Sequence, residues 1–494
     1  MSPYWAWIAQ QRTVVYLSPL SKFPGPRLAA LTTWYIAYHD IYHKGQFFKK
    51  LEKLHEKYGP IVRISPEDLH INDPNFINVI FTGVEHRRNK TKWIGRSLIL
   101  PDSTVATIPH ELHRKRRATL NPYFSHTSIR NLENVMQKGL RRMMGRIKES
   151  GQTHSAVTSD TISEYCFGVS TNYLDHDDFN ATWFHAIDSV LGMAWVLAYI
   201  PFLGPLMKMM PPSIMAWMKP GLKSLWDMHQ QWDKKIDEIR ACPPDESKND
   251  SVFHGIIHSD LPASEKTTKR MQQEAQMLIM GGQDPIAYTL SAITYHLLSN
   301  PDKLAKLRAE LKTAYPDPDS TPVLSIVEHL PYLQAVVLEG LRINPGALVR
   351  MTRSSPDEDL VYHDKSNNKV WEIPRNTPIT MSALLLQRHP SVFPEADKFE
   401  PERWQNNPGL KHYMIVFSRG TRMCLGFNLS YAELYVTLAS LFLRYDLYDG
   451  TGKQQVPTLA LYDTIRERDI DANMDFIAPA VARGSKGLQV VVRG

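Results

Sequence analysis

Cys424 is the residue whose neighbours most clearly point to chemistry. It stands in the run Phe417-Ser-Arg-Gly420-Thr-Arg422-Met-Cys424-Leu-Gly426, directly before a stretch of helical period that continues to about Tyr445. A cysteine just ahead of a helix gains from the helix dipole and from backbone N–H groups without partners, which favours the thiolate. Cys166 and Cys242 lack such company and are expected to be inert thiols. Glu339 and Arg342 lie three apart in LPYLQAVVLEGLRINP, a spacing that puts both charges on one face of a helix ending near Pro345. Five basic side chains follow one another from His113 to Arg117. In MLIMGGQDPIAYTLSAITYHLL, Gly281, Gly282 and Asp284 lead into Pro285, whose ring and missing N–H free the carbonyl of Gly281 and predict a kink.

Such residues need elements to hold them. KFPGPRLAA (22–30) carries two prolines and reads as a stiff, extended hinge into the globular part. Residues 45–58 have the period of an amphipathic helix, stopped by Gly59-Pro60. IVRIS (61–65) and LHIND (69–73) alternate like two strands joined at Pro66. From about 110 to 350 the helical period dominates, with one long helix over roughly 270–299 stopped at Ser299-Asn300-Pro301. The stretch 198–221 is dense in Met, Pro and aromatic residues and is too broken by proline to be one helix. Strand character returns at 361–382 around an Asn-Asn turn. No flexible linker follows residue 30. The prediction is an N-terminal segment 1–21, the hinge 22–30 and a single large domain 31–494, mainly α with small β-sheets.

With 43% hydrophobic and 22% charged residues and no repeat, the composition is globular rather than disordered. The net charge of +6 is spread along the chain, so nucleic acid is not an expected partner. Three cysteines in 494 residues exclude a disulfide scaffold and fit a reducing, cytosol-facing location. The N-x-[ST] triplets at Asn89, Asn180, Asn249 and Asn428 are expected to carry no glycan. The first twenty residues are aromatic but interrupted by Gln10, Gln11 and Arg12, too polar for a spanning helix. Trp5, Trp7 and Tyr16 suit a membrane surface.

The run from Phe417 to Gly426 matches F-x-x-G-x-R-x-C-x-G at every fixed position and resembles the haem-binding loop of cytochromes P450. Five specified residues at fixed spacing arise by chance on the order of once in a million windows. Pro401-Glu-Arg403-Trp404 falls between the Glu339 helix and this loop, in the family's order. The resemblance covers nearly all the chain from about Pro24. FPGPRLAA, HEKYGPIVRISP, LNPYFS and EYCFG particularly resemble fungal members of the trichodiene-oxygenase kind, which oxidise terpenes and other secondary metabolites. The resemblance implies the cytochrome P450 fold and haem b (iron-protoporphyrin IX), with Cys424 as axial thiolate and metal ligand. It further implies that Arg422 pairs with a haem propionate, that Gly420 and Gly426 let the backbone approach the porphyrin, and that Phe417 covers the sulfur. His113 and Arg117 would reach a propionate, as would Arg353, with Arg350 competing for that role. Glu339, Arg342 and Arg403 would form a buried charge network behind the haem.

The implied activity is insertion of one oxygen atom from O2 into a small apolar substrate, a fungal terpenoid or polyketide. Electrons come from NADPH through NADPH–cytochrome P450 reductase, with cytochrome b5 as a second donor, at the endoplasmic reticulum surface. Lys115 and neighbouring bases would help dock the acidic partner. One position departs from the family's pattern, because Pro285 stands where a threonine hydroxyl usually helps deliver protons. Asp284, a water or a substrate hydroxyl is left to carry the proton. That departure keeps two alternatives in view, a reductase-independent isomerase, dehydratase or coupling enzyme and a haem-binding sensor without turnover.

Overall fold

The apolar period of the first predicted helix becomes α1 (Phe47–Tyr58), which buries Phe47, Phe48, Leu51 and Leu54 along one stripe. The computed structural model describes residues 17–147, 153–211, 213–214, 217, 220–242, 251–454 and 456–493, so the segment 1–21 lies outside the described residues as far as residue 16. After Gly59 and Pro60 come β1 (Ile61–Arg63) and β2 (Leu69–Ile71), an antiparallel hairpin with Ile61 opposite Ile71. The helical body runs through α2 (His110–Leu120), α3 (Thr153–Phe167), α4 (Ala181–Leu191), α5 (Ala194–Tyr199), α6 (Pro220–Ala241) and the long α7 (Thr268–Ser299). The Thr267 side chain caps α7 by accepting from the N–H of Arg270, and Asn300-Pro301 ends it.

Next come α8 (Pro331–Ile343), β3 (Met351–Arg353), β4 (Leu360–Asp364), β5 (Lys369–Ile373), β6 (Ile379–Met381) and α9 (Phe427–Arg444). β6 pairs parallel to β2 and antiparallel to β3, giving a sheet of order β1-β2-β6-β3 that ties the segment before the helical body to the segment after it. β4 and β5 form a separate hairpin that turns through Asn367 and Asn368. α3 lies along α7, and Ile162, Ile286, Leu290, Val336 and Leu438 place α3, α7, α8 and α9 around one apolar core. The fold is therefore mainly helical with small sheets, as the periodicity predicts.

Residues 22–30 are not a hinge. Phe23 is buried and stacks on Trp371 at 5.0 Å, while the N–H of Arg63 donates to the carbonyl of Pro24 at 2.7 Å. Arg27–Leu31 is a short helix with Pro26 as its N-cap. Proline is barred from a helix interior but pre-shaped for its start, so the two prolines introduce a helix rather than prevent one. The stretch 198–221 is broken as expected, with α5 ending at Tyr199 and a separate helix over Leu203–Met209.

Candidate active site

Cys424 lies two residues before Gly426, the N-cap of α9. Burial pushes its thiol up, while the N–H of Gly426, Arg117 and Lys90 pull it down. The N–H of Cys424 donates to the carbonyl of Phe417 at 2.8 Å, folding the loop back on itself. The Phe417 ring packs against Phe427 at 5.3 Å and Tyr431 at 5.4 Å. Gly420 has φ +66, and a Cβ there would lie 1.8 Å from the carbonyl oxygen of Thr82. Its positive φ makes the turn, and its close approach is to the backbone of residue 82. Gly426 keeps an ordinary φ of −80, with open space where a Cβ would stand.

Cys424 has free surface although protein surrounds it, because that surface faces two internal cavities of about 300 and 160 Å³. Lys90, Val105, Gly281, Ile286, Arg422, Cys424 and Ser430 line both, which makes them two lobes of one slot. Gly281, Pro285 and Thr289 line the larger lobe at intervals of four along α7, and Gly282 lines the smaller. α7 remains helical through Pro285. With no N–H on Pro285, the carbonyl of Gly281 has no helical partner. The hydroxyl of Thr289 offers no replacement for the missing threonine, because it donates to the carbonyl of Pro285 at 2.8 Å.

Asp284 departs from expectation, for it does not line the slot. A residue adjacent to Pro285 is rotated about 100° around the helix axis, and the Asp284 carboxylate accepts instead from Nε2 of Gln283 at 2.7 Å. Burial, then the nearby charge of Asp188 on α4, pushes Asp284 up to about 7. Asp188 lines a third cavity of about 290 Å³ with Asp40, Lys44 and Arg483.

Comparison with known proteins bears on this arrangement. The cytochrome P450 family model matches residues 26–462. The chain belongs to the cytochrome P450 family. It is 36% identical to the cytochrome P450 monooxygenase tpcC of Cochliobolus heterostrophus, over 97% of this chain and 93% of the relative. It is 34% identical to tryptophan 6-hydroxylase fscE of Fusarium equiseti and 35% identical to N-acetyltryptophan 6-hydroxylase ivoC of Emericella nidulans, in each case over 97% of this chain and 93% of the relative. The chain is accordingly a P450 monooxygenase with relatives in fungal secondary metabolism.

Haem fits the slot of this P450 on the chemistry of the rim. Lys90 donates to the carbonyl of Val105 at 2.8 Å, Arg353 to Ser418 Oγ at 3.0 Å, and Arg422 to the carbonyls of Thr107 and Ile108 at 2.7 and 2.8 Å. Among the described residues none of the three has a carboxylate partner, and Nε of Arg422 has no partner at all. Burial and the neighbouring arginines hold Lys90 far below its usual range and Arg353 at about 9, and burial alone holds Arg422 at about 10. Cations crowded in this way are relieved by an anionic ligand, and two propionates supply that charge. His113 is buried at the same slot, and burial with the charges of Arg422 and Lys90 pushes it down to about 2, so a neutral imidazole would face the ligand.

Arg117 also lines the smaller lobe. Its guanidinium donates to the carbonyls of Met423 and Cys424 at 2.8 and 3.3 Å and to Asn121 at 2.6 Å, so it braces the cysteine loop from the wall of the slot. Arg350 is likewise engaged, paired with Asp40 at 3.2 Å. Lys90 was invisible in the sequence, because it lies in a loop among exposed bases with no period to mark its inward direction.

Behind the slot, Arg342 and Glu339 are fully buried and meet twice, at 2.9 and 2.8 Å. The Glu339 carboxylate also accepts from Nε of Arg403 at 3.0 Å, Nε1 of Trp404 at 2.9 Å and the N–H of Glu400 at 2.9 Å. Spacing alone gave no sign of the last two donors. With every lone pair directed at a donor, the buried charge avoids the usual desolvation penalty of an unpaired ion.

Proposed function

We propose that this P450 hydroxylates a small, neutral or weakly polar apolar substrate, with haem b on Cys424 and electrons from NADPH delivered by a partner reductase. When bound, haem would supply dioxygen activation, so that one oxygen atom enters a C–H bond of the substrate and the other leaves as water with two electrons from NADPH. The observation that carries this reading is the slot, where Cys424, Gly281 and Pro285 line one cavity whose other walls include Ile36, Ile64, Trp93, Ile94 and Val349. Such a lining takes up apolar surface and displaces water.

Asp284 would hold and pass a proton, although from behind the slot wall. Its neighbour Asp188 opens on the polar third cavity, which gives the pair a supply of protons. Arg114 and Lys115 stand exposed on α2, whose inner side carries His113 at the slot, and that basic face would dock the reductase or cytochrome b5. The exposed Leu28, Trp34, Tyr42, Phe202, Met209 and Trp217 would rest on the endoplasmic reticulum membrane. The relatives named as hydroxylases of tryptophan and N-acetyltryptophan support hydroxylation as the reaction.

The test is product formation from candidate fungal metabolites with and without NADPH and reductase, with Cys424→Ala as control. Dependence on both, and a thiolate-type spectrum of the reduced carbon monoxide complex, are expected. Because Pro285 removes the usual hydroxyl, a second reading is a reductase-independent isomerase, dehydratase or coupling enzyme, and undiminished product without NADPH would establish it.

A further inference from the structure

Arg350 is the cation of the larger lobe that the rim does not use. It lines the cavity from the loop between α8 and β3, and its guanidinium is wedged between the rings of Phe47 and Trp195, 4.8 and 5.3 Å from their centres. Asp40 accepts from Nη2 at 3.2 Å, while Nη1 has no partner among the described residues. The two rings and the ion pair fix its direction before any substrate arrives. A charged donor held in that way, buried beside a largely apolar wall, costs free energy until an acceptor reaches it.

The acceptor's charge follows from the surroundings. Asp40, Asp68 and Asp475 all face Arg350, and Asp68 shares the cavity with it. Asp40 already matches the guanidinium's charge. Burial pushes Asp68, which lines the cavity, up to about 6, and burial with the charge of Asp40 pushes Asp475 up to about 7, a sign that the surroundings of Arg350 resist further negative charge. A substrate carboxylate would add a further acidic group to a cluster that already holds three around one cation. A substrate ammonium would meet the guanidinium itself. A neutral oxygen takes the hydrogen bond without either conflict.

We infer that Arg350 is a specificity-determining residue of this cavity and that it selects substrates carrying a neutral oxygen acceptor, a carbonyl above all. The inference deepens the reading of the slot as a substrate site and rests on it. It separates this chain from the relatives named for tryptophan and N-acetyltryptophan, whose substrates carry a carboxylate.

The experiment titrates haem-loaded protein with three matched probes, 4-cyclohexylacetophenone, 1-cyclohexyl-4-ethylbenzene and 4-cyclohexylbenzoate, and follows the change in the haem spectrum. The ketone should bind about tenfold more tightly than the hydrocarbon, the scale of one hydrogen bond from a charged donor, and the carboxylate should bind more weakly than the ketone. In the double variant Arg350→Met with Asp40→Leu, which removes the cation together with its ion-pair partner, the ketone-to-hydrocarbon ratio should fall toward one. Haem content and melting serve as folding controls, and if that variant fails to fold, the ranking in the unmodified protein still decides. Tightest binding by the carboxylate, no ketone preference, no ketone binding, or a preference that survives in the double variant would each overturn the inference. A missing thiolate-type spectrum would instead sink the reading of the site on which it rests.

Discussion

Gly346 is seated directly on Pro285, since a Cβ at position 346 would lie 2.7 Å from Cβ of Pro285 and 2.8 Å from its carbonyl oxygen. Both residues line the larger lobe. The proline of α7 and the loop after α8 are thus two faces of one wall, and neither moves without the other. Gly346→Ala should therefore destabilise the protein by about 1 to 3 kcal/mol, the usual scale of overpacking, and melting of the haem-loaded protein measures it. An unchanged melting temperature would show that the wall yields freely.

Pro285 can be tested for the groove itself. Pro285→Ala restores an N–H to Gly281 and should close the opening in α7, lowering product formed per NADPH consumed and raising hydrogen peroxide release. Pro285→Thr restores both the N–H and the family's hydroxyl, and it should change the peroxide share in a direction different from the alanine variant. Identical ratios in the wild type and both variants would remove this segment from the oxygen chemistry.

Arg342→Ala leaves the fully buried Glu339 with one charged partner in place of two. Loss of one member of such a network costs about 3 to 5 kcal/mol. The yield of haem-loaded protein should fall steeply, and Arg342→Lys should rescue it only in part, because one ammonium cannot reproduce the paired contact. Normal haem content and melting in the alanine variant would contradict this role.

Lys90→Met keeps the side-chain length and removes one of the three unmatched cations at the rim. Haem transfer from the variant to apomyoglobin should be roughly tenfold faster, as for loss of one charge-assisted hydrogen bond. The carbon monoxide spectrum should keep its thiolate form, since Cys424 is untouched. Unaltered haem release would assign Lys90 to loop packing alone.

How much of this was legible in the sequence depends on how local each signal is. The hairpin of β1 and β2, the bounds of α1 and α7, and the pairing of Glu339 with Arg342 follow from turn residues, apolar period and spacing, all properties of one segment. The bracing of the cysteine loop by Arg117 could not be read in the same way, because the spacing of His113 and Arg117 says that they share a helix face but not that the Met423 and Cys424 carbonyls lie beside it. Lys90, Trp404 and Asp40 take their parts through partners 15, 65 and 310 residues away in sequence, and no local pattern encodes such distances. The hinge failed for a different reason. Proline bars a helix interior but suits a helix start, and the pattern of residues 22–30 alone does not say which applies.

Asp284 joins stability to chemistry. Burial raises its carboxyl to about 7, so between about pH 4 and pH 7 the folded protein holds a proton there that the unfolded chain has released. The stability contributed by that protonated group is fully present below about pH 4 and is lost as the pH rises toward 7. Asp284→Asn keeps the shape and the contact with Gln283 but has no proton to lose. The variant should melt at a higher temperature than the wild type at pH 8, and the difference should shrink as the pH falls and vanish near pH 4. If Asp284 also passes protons from the Asp188 cavity, the variant should turn over more slowly at every pH while substrate affinity is held. The two effects separate cleanly: a melting difference without a fall in turnover leaves Asp284 a buried acid of α7 and nothing more, and a fall in turnover with parallel melting curves means that its carboxyl is ionised in the folded state at neutral pH.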